Sequence, residues 1–124
     1  MANWNFVDAN IQKAVTPQTT ERAFTRGIES RNTYARNYNY SLLAAAKIPK
    51  PVFDSMRLKI VQGMQTDPDK YVRLRAACLL AEHGPGKYSQ EVVKILERHR
   101  NDPEEDAKIA AVKYLRRLNR KASP

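Results

Sequence analysis

Few residues of this 124-residue chain have the types and spacing that chemistry requires. His83 and His99 each stand near a predicted helix end, where an imidazole complements the helix dipole, and neither is paired with a cysteine or carboxylate at metal-ligand spacing. Cys78 lies mid-helix with no histidine placed to activate it, which favours a buried, unreactive thiol. The sequence therefore predicts no catalytic centre, no metal site and no cofactor.

Two further patterns have simple structural interpretations. Four acids in one short stretch could suggest acid–base chemistry or cation binding, but on the first turn of a helix they complement the dipole. The glycines of Gly84-Pro85-Gly86 lack the following Lys-Ser/Thr pair of a phosphate-binding loop, so they are predicted to end a helix. The acids are Asp102, Glu104, Glu105 and Asp106.

Composition limits the class of partner and the compartment. The chain carries 22 Lys and Arg against 13 Asp and Glu, and its net charge of +9 favours an acidic or polyanionic partner. The longest apolar stretch, residues 41–48, is shorter than the roughly 20 residues that a membrane span needs. One cysteine and no secretory signal predict a soluble protein in a reducing, cytoplasmic compartment, without a membrane partner.

An internal repeat organises the elements that must position these residues. Residues 67–83 align with residues 102–118 at a shift of 35 positions, with Asp-Pro over Asp-Pro and Leu80 over Leu115. A fainter copy begins at Asn32, and the helical periodicity predicts an all-α chain of paired helices without strands. The predicted A helices lie near 33–47, 68–83 and 103–118, and the predicted B helices near 51–64 and 90–100.

Helix boundaries follow from capping residues. Asp67 with Pro68, and Asp102 with Pro103, are predicted to cap the second and third A helices, and Ser89 is predicted to cap the second B helix. In the first B helix, apolar residues recur at the spacing of one helical face. That face consists of Phe53, Met56, Ile60, Val61 and Met64.

The stretch D-P-D-x-x-V-R-x-x-A-A-x-x-L at 67–80 resembles the first helix of a HEAT-like repeat, and the resemblance covers about 32–118. The copy at 102–115 departs from the pattern at Ala107 and Lys108. The period is shorter than the roughly 40–47 residues of long HEAT units and is similar to the compact repeats of bilin lyases. The resemblance implies a short α-solenoid of about two and a half repeats at 32–118. The composition of the remaining residues predicts an N-terminal arm or capping helices at 1–31 and a polar tail at 119–124.

What the resemblance implies for function is a surface for binding. It makes the pairs Asp67–Arg73 and Asp102–Lys108 a structural ladder between adjacent repeats. HEAT-like enzymes exist, namely bilin lyases and alkylpurine DNA glycosylases, but the B helices here lack the aromatic cluster of the glycosylases. We therefore expect a non-enzymatic module without a small-molecule substrate, which holds an acidic protein or a larger assembly on a basic concave face. That face carries Lys59, Gln62, Lys94 and Arg98.

Two alternatives remain open at the level of sequence. The first is binding of nucleic acid through phosphates, with tyrosines that could stack on bases. The second is a structural subunit of a large particle, a virion or ribonucleoprotein, whose arm at 1–31 threads onto a neighbour. The Trp4-Phe6-Val7 cluster in this arm either packs on the end of the repeat stack or reaches another molecule. The candidate phosphate-binding residues are Lys113, Arg116, Arg117, Arg120, Lys121, Arg36 and Tyr38.

Overall fold

Five α-helices form the part of the chain that the computed structural model describes, residues 26–45 and 47–122. These are α1 (Thr33–Ala45), α2 (Lys50–Thr66), α3 (Lys70–His83), α4 (Ser89–Arg98) and α5 (Glu105–Ala122), with a 3-10 turn at Gly86–Tyr88. The described ranges contain no strand, so the all-α prediction is confirmed. The predictions for residues 1–25, including the Trp4-Phe6-Val7 cluster, lie outside the described residues.

Helix α2 shows why the periodicity predicted its position correctly. Pro51 occupies the first turn, where a missing backbone N–H leaves no hydrogen bond unmade. All five residues of the predicted apolar face are buried, and Ile60 and Met64 are fully inaccessible to solvent. Beside this apolar face, Gly63 lets the hydroxyl of Tyr40 from α1 approach the helix closely, because a Cβ at that position would clash with Tyr40 Oη.

Helix α3 is the central element of the described fold. It packs against α1, α2, α4 and α5, and every residue from Leu74 to Ala81 is buried. A helix that is apolar all round is buried on all sides, and the run of small and aliphatic residues in α3 fits that rule. One apolar core extends from Ile28 to Tyr114, so Ile28, on the arm side of the predicted boundary at residue 32, belongs to the same core.

The start of α3 differs from the prediction by two residues. Asp69, not Asp67, is the N-cap, and its carboxylate accepts hydrogen bonds from the N–H groups of Tyr71 (2.9 Å) and Val72 (3.0 Å). Asp67 instead ends α2, with its own N–H bound to Gly63 O at 3.1 Å. The two acids have different roles, Asp67 at the end of α2 and Asp69 at the start of α3, because a side-chain oxygen reaches only the N–H groups two or three residues ahead.

Three other helix boundaries have local hydrogen bonds beside them. Gly84 ends α3 with φ at 121°, a conformation that favours glycine, and its N–H binds Leu80 O at 2.8 Å. Ser89 is the first residue of α4 and not its cap, because its hydroxyl donates to Gly86 O at 2.9 Å. Helix α5 begins at Glu105, two residues after the predicted start, while Asp102 accepts from the N–H of Glu104 at 2.8 Å.

Candidate functional surfaces

The Asp67 carboxylate is the centre of a buried ion pair with α1. Arg36 donates from Nε to Oδ2 (2.8 Å) and from Nη2 to Oδ1 (3.2 Å), and both side chains are at most 10% exposed. Arg36 also binds Ser30 O at 2.8 Å and the hydroxyl of Thr33 at 3.2 Å. These bonds correct the prediction that Arg36 contacts a phosphate, because the guanidinium is turned inward and its donors are engaged.

An equivalent contact recurs 35 residues later. Tyr71 Oη donates to Asp102 Oδ1 at 3.0 Å, as Arg36 donates to Asp67, and His99 Nδ1 lies 2.8 Å from Asp102 Oδ2. Burial alone would raise the pKa of Asp102, but bonds from the N–H of Glu104 and from the side chains of His99 and Tyr71 together lower it below its ordinary value. His99 therefore has a carboxylate partner that spacing along the sequence did not suggest.

Only one of the two predicted ladder pairs is in contact, and it uses the backbone of the acid instead of its carboxylate. Arg73 Nη1 donates to the backbone carbonyl of Asp67, while the Asp67 carboxylate binds Arg36. Asp102 binds Tyr71 and His99, and Lys108 lies exposed on α5. Each acid does connect successive parts of the fold, through a side chain 31 residues earlier that lies in the first turn of α1 or α3.

Arg75 is a buried cation that the sequence analysis missed. It is 4% exposed, and burial lowers its pKa to about 10, although the nearby carboxylates of Glu104, Asp106 and Asp69 act in the opposite direction. Its neighbour Cys78 is buried as predicted, and burial raises the pKa of that thiol to about 12. The repeat alignment carried a signal for Arg75, because it places Arg75 between two buried residues, Tyr40 and Ala110.

The predicted face on the B helices is exposed to solvent. Lys59, Gln62, Lys94 and Arg98 all lie at the surface, and one hydrogen bond between exposed side chains, from Gln65 Nε2 to Glu91 Oε2 (2.7 Å), connects α2 with α4. Lys59 Nζ also pairs with Glu29 Oε1 at 3.2 Å. Lys59 and Gln62 line a cavity of about 300 Å³ between α2, α1 and the segment before α1.

The candidate phosphate-binding residues differ in their exposure and in their ion pairing. Lys113, Arg116 and Arg120 are exposed on α5, whereas Arg117 Nη1 pairs with Glu82 Oε2 at 3.2 Å. Tyr38 is half-buried and lies on α1, far in sequence from the basic residues of α5. The side chain of Lys121 lies outside the described residues. Burial and pairing therefore reduce the predicted set to three exposed cations on one helix.

A second groove lies between α4 and α5, with a volume of about 360 Å³. Its apolar residues are half-buried, and three cations and one carboxylate belong to its lining. This surface was not predicted. The repeat alignment places Lys113 at the position of Cys78 and Arg116 at the position of Ala81, and these replacements predict a polar side of α5. Both cations are exposed, but Val112 and Leu115 beside them remain partly accessible.

Searches for a metal site, for a membrane span and for similar proteins all gave negative results over the described residues or the sequence. The described residues hold no group of three or more His, Cys, Asp or Glu side chains that could bind a metal ion. Among the described helices, none combines the length and apolar character needed to cross a membrane. Comparisons with protein-family models, with curated proteins and with solved structures give no match.

Proposed function

We propose that this chain is a non-enzymatic protein-interaction module built from HEAT-like helix pairs. A contact that recurs with the 35-residue period supports the assignment of a repeat. Arg36 binds Asp67, and the residues 35 positions later, Tyr71 and Asp102, bind each other as well. In this proposal α1, α3 and α5 are the A helices of a short α-solenoid, and α2 and α4 are its B helices. Stacked B helices of such a solenoid form a continuous surface for a partner.

The observation that carries the proposal is the exposure of basic side chains at equivalent positions of α2 and α4. Both helices expose a lysine at the same position of the repeat, Lys59 and Lys94, and one hydrogen bond joins Gln65 of α2 to Glu91 of α4. With Gln62 and Arg98 these lysines form the proposed binding face. Their charge, within a chain of net charge +9, favours an acidic protein or a larger assembly as the partner.

The test compares two variants with the same change of charge. One carries Lys59→Glu, Lys94→Glu and Arg98→Glu on the proposed face, and the other carries Lys87→Glu, Lys113→Glu and Arg120→Glu, all exposed and away from it. Each is immobilised, and the macromolecules that it captures from a cell extract are compared with those of the unmodified chain. We expect the first variant to lose a protein that the second retains, because like charges across an interface cost several kcal/mol.

Nucleic acid is the second candidate partner, and the exposed cluster Lys113, Arg116 and Arg120 supports it. If phosphates bind there, the second variant loses the captured material, and absorbance at 260 nm disappears from the purified protein after a high-salt wash. The same outcome would contradict the proposed B-helix face. The third hypothesis, a particle subunit with an N-terminal arm, concerns residues mostly outside the described range, and material retained by both variants would favour it.

A further inference from the structure

The cavity between α2, α1 and the segment before α1 lies next to the proposed B-helix face. Its volume of about 300 Å³ is at the lower end of the range of about 300–1,000 Å³ that is typical of ligand pockets. Lys59 and Gln62 line it, and both also belong to the proposed face. A protruding side chain of a molecule bound to that face can therefore enter this cavity.

The base of the cavity contains a hydroxyl that has no hydrogen-bond partner among the described residues. It belongs to Tyr40, which lines the cavity although the residue is only 1% exposed. Its Oη lies close to the backbone of Gly63, another residue of the lining. A buried polar group without a partner is unfavourable, so a ligand that supplies the missing hydrogen bond gains free energy there.

The Tyr40 hydroxyl keeps its proton and offers it to a ligand. Burial raises the pKa of Tyr40 above its ordinary value, the Asp67 carboxylate raises it further, and the Arg36 guanidinium opposes the rise. Arg36 and Asp67 line the cavity as well, but they form an ion pair and add no net charge to it. The base of the cavity therefore presents a neutral O–H donor, and an acceptor on the ligand satisfies it.

The rim of the cavity presents a cation that already holds a carboxylate. Lys59 Nζ lies 3.2 Å from Glu29 Oε1, and both side chains are about half exposed. Lys59 is four residues before Gly63 on α2, so the ammonium projects from the helical turn next to the one that the Tyr40 hydroxyl approaches. Glu29 precedes α1 and is exposed to water, so another carboxylate can replace it on Lys59 without disturbing a helix.

A carboxylate is the acceptor that suits both the phenol at the base and the ammonium at the rim. It forms charge-assisted hydrogen bonds with each, and these are stronger than bonds between neutral groups. We propose that the cavity binds an aspartate or glutamate side chain of the partner protein, whose carboxylate accepts from Tyr40 Oη and Lys59 Nζ and displaces Glu29. The choice of a protein side chain rests on the proposed function, because Lys59 and Gln62 belong both to the cavity and to the B-helix face.

The test uses two small compounds that each carry one side chain. N-acetyl-glutamate α-amide presents the carboxylate, and N-acetyl-glutamine α-amide is the neutral control of the same shape. Chemical-shift titrations by NMR measure their dissociation constants with the unmodified chain and with Tyr40→Phe, Lys59→Gln and Glu29→Gln. Lys87→Gln and Glu105→Gln are the controls for the changes of charge, because both residues are exposed and neither lines the cavity.

We expect the carboxylate compound to bind the unmodified chain at least about tenfold more tightly than the amide compound, because only the carboxylate forms charge-assisted bonds with both donors. Tyr40→Phe and Lys59→Gln should each weaken its binding about tenfold, whereas Glu29→Gln should tighten it about threefold by removing the internal competitor. The two charge controls should change it less than about twofold. Equal binding of the two compounds, or no gain of affinity in Glu29→Gln, would overturn the proposal. A gain of affinity cannot result from a damaged fold.

Further outcomes separate this site from the proposed function and from a free ligand. If the carboxylate compound does not bind at about 50 mM while Lys59→Glu/Lys94→Glu/Arg98→Glu still loses a captured protein, the carboxylate site is wrong and the B-helix face stands. If the compound binds as expected but the triple variant retains every captured protein, the site is supported and the proposed face is wrong. If glutarate, a free dicarboxylate, binds at least about tenfold more tightly than the glutamate compound, the ligand is a small molecule and a partner side chain is overturned.

Discussion

The carboxylates of Asp67 and Asp102 each connect two helix pairs at the level of single residues. Each accepts a hydrogen bond from the N–H two residues ahead and another from a side chain 31 residues earlier. The partners differ in charge, because Asp67 meets a guanidinium and Asp102 meets a phenol. The same position in the repeat therefore tolerates an ion pair or a neutral donor.

That difference predicts unequal costs of substitution. Arg36→Met leaves the buried Asp67 carboxylate without its cation, and removal of one partner from a buried ion pair costs about 3–5 kcal/mol. Tyr71→Phe removes one neutral donor from the Asp102 carboxylate, which keeps His99 and the N–H of Glu104 as partners, and loss of one hydrogen bond to a charged group costs about 1.5–3 kcal/mol. Urea unfolding of the two variants measures both free energies of unfolding. Equal losses would contradict the view that the Arg36–Asp67 pair is the stronger connection.

A second prediction concerns the approach of α1 to α2. Gly63→Ala would place a Cβ 2.1 Å from Tyr40 Oη, and Tyr40 is 1% exposed and cannot turn away. Overpacking costs about 1–3 kcal/mol, more than the roughly 1 kcal/mol that alanine gains over glycine in a helix. We expect Gly63→Ala to lower the free energy of unfolding. In a Tyr40→Phe background, which lacks the hydroxyl, the same change should be neutral or stabilising.

The lowered pKa of Asp102 predicts how stability depends on pH. Because the pKa is lower in the folded chain than in the unfolded chain, Asp102 stabilises the fold fully above about pH 4 and loses that contribution as the pH falls. The difference in free energy of unfolding between the unmodified chain and Asp102→Asn should be largest near neutral pH and narrow below about pH 4. A difference that stays constant down to pH 3 would contradict this assignment.

At the scale of elements, the sequence predicted the helices better than their contacts. The apolar face of α2, from Phe53 to Met64, could be predicted because its buried residues recur with the helical period. All five helices lie near their predicted positions. The start of α3 was misplaced because Asp67 and Asp69 are equally good caps and only their bonds distinguish them. Arg36 could not be recognised as buried, since its partner is 31 residues away.

The groove between α4 and α5 was missed for a related reason. Substitution of Cys78 by Lys113 and of Ala81 by Arg116 correctly indicated an exposed side of α5, and both cations are exposed. The pattern does not show that Val112 and Leu115 stay partly accessible, because that depends on what lies beside α4.

Equivalent leucines in α3 and α5 provide a prediction at the scale of elements. Leu80 is fully buried in the central helix, so Leu80→Ala should cost about 2–5 kcal/mol through lost burial and the cavity it leaves. Leu115 occupies the same position of the repeat and is half-buried. Leu115→Ala should therefore cost less, and thermal unfolding followed by circular dichroism compares the two. A cost for Leu115→Ala as large as that for Leu80→Ala would show that the groove is already filled.

For the whole molecule, the position of α3 decides whether the helix pairs unfold separately. Repeat proteins can lose their units one by one, because each unit contacts only its neighbours. Here α3 packs against α1, α2, α4 and α5, and one core connects Ile28 to Tyr114. If α3 unfolds, each of the other four described helices loses a packing partner and exposes apolar surface. We therefore expect the five helices to unfold as a single cooperative unit.

Native-state hydrogen exchange on Leu80→Ala measures this cooperativity. If the described chain is one unit, the slowest amides of α2 and α5 should lose protection by the same free energy as those of α3, since all of them exchange through the same global opening. Gln62→Ala, at an exposed position of α2, is the control and should leave protection nearly unchanged. A loss confined to α3, α4 and α5 would show that the first helix pair is stable by itself. In that case the repeat, and not the whole chain, would be the folding unit.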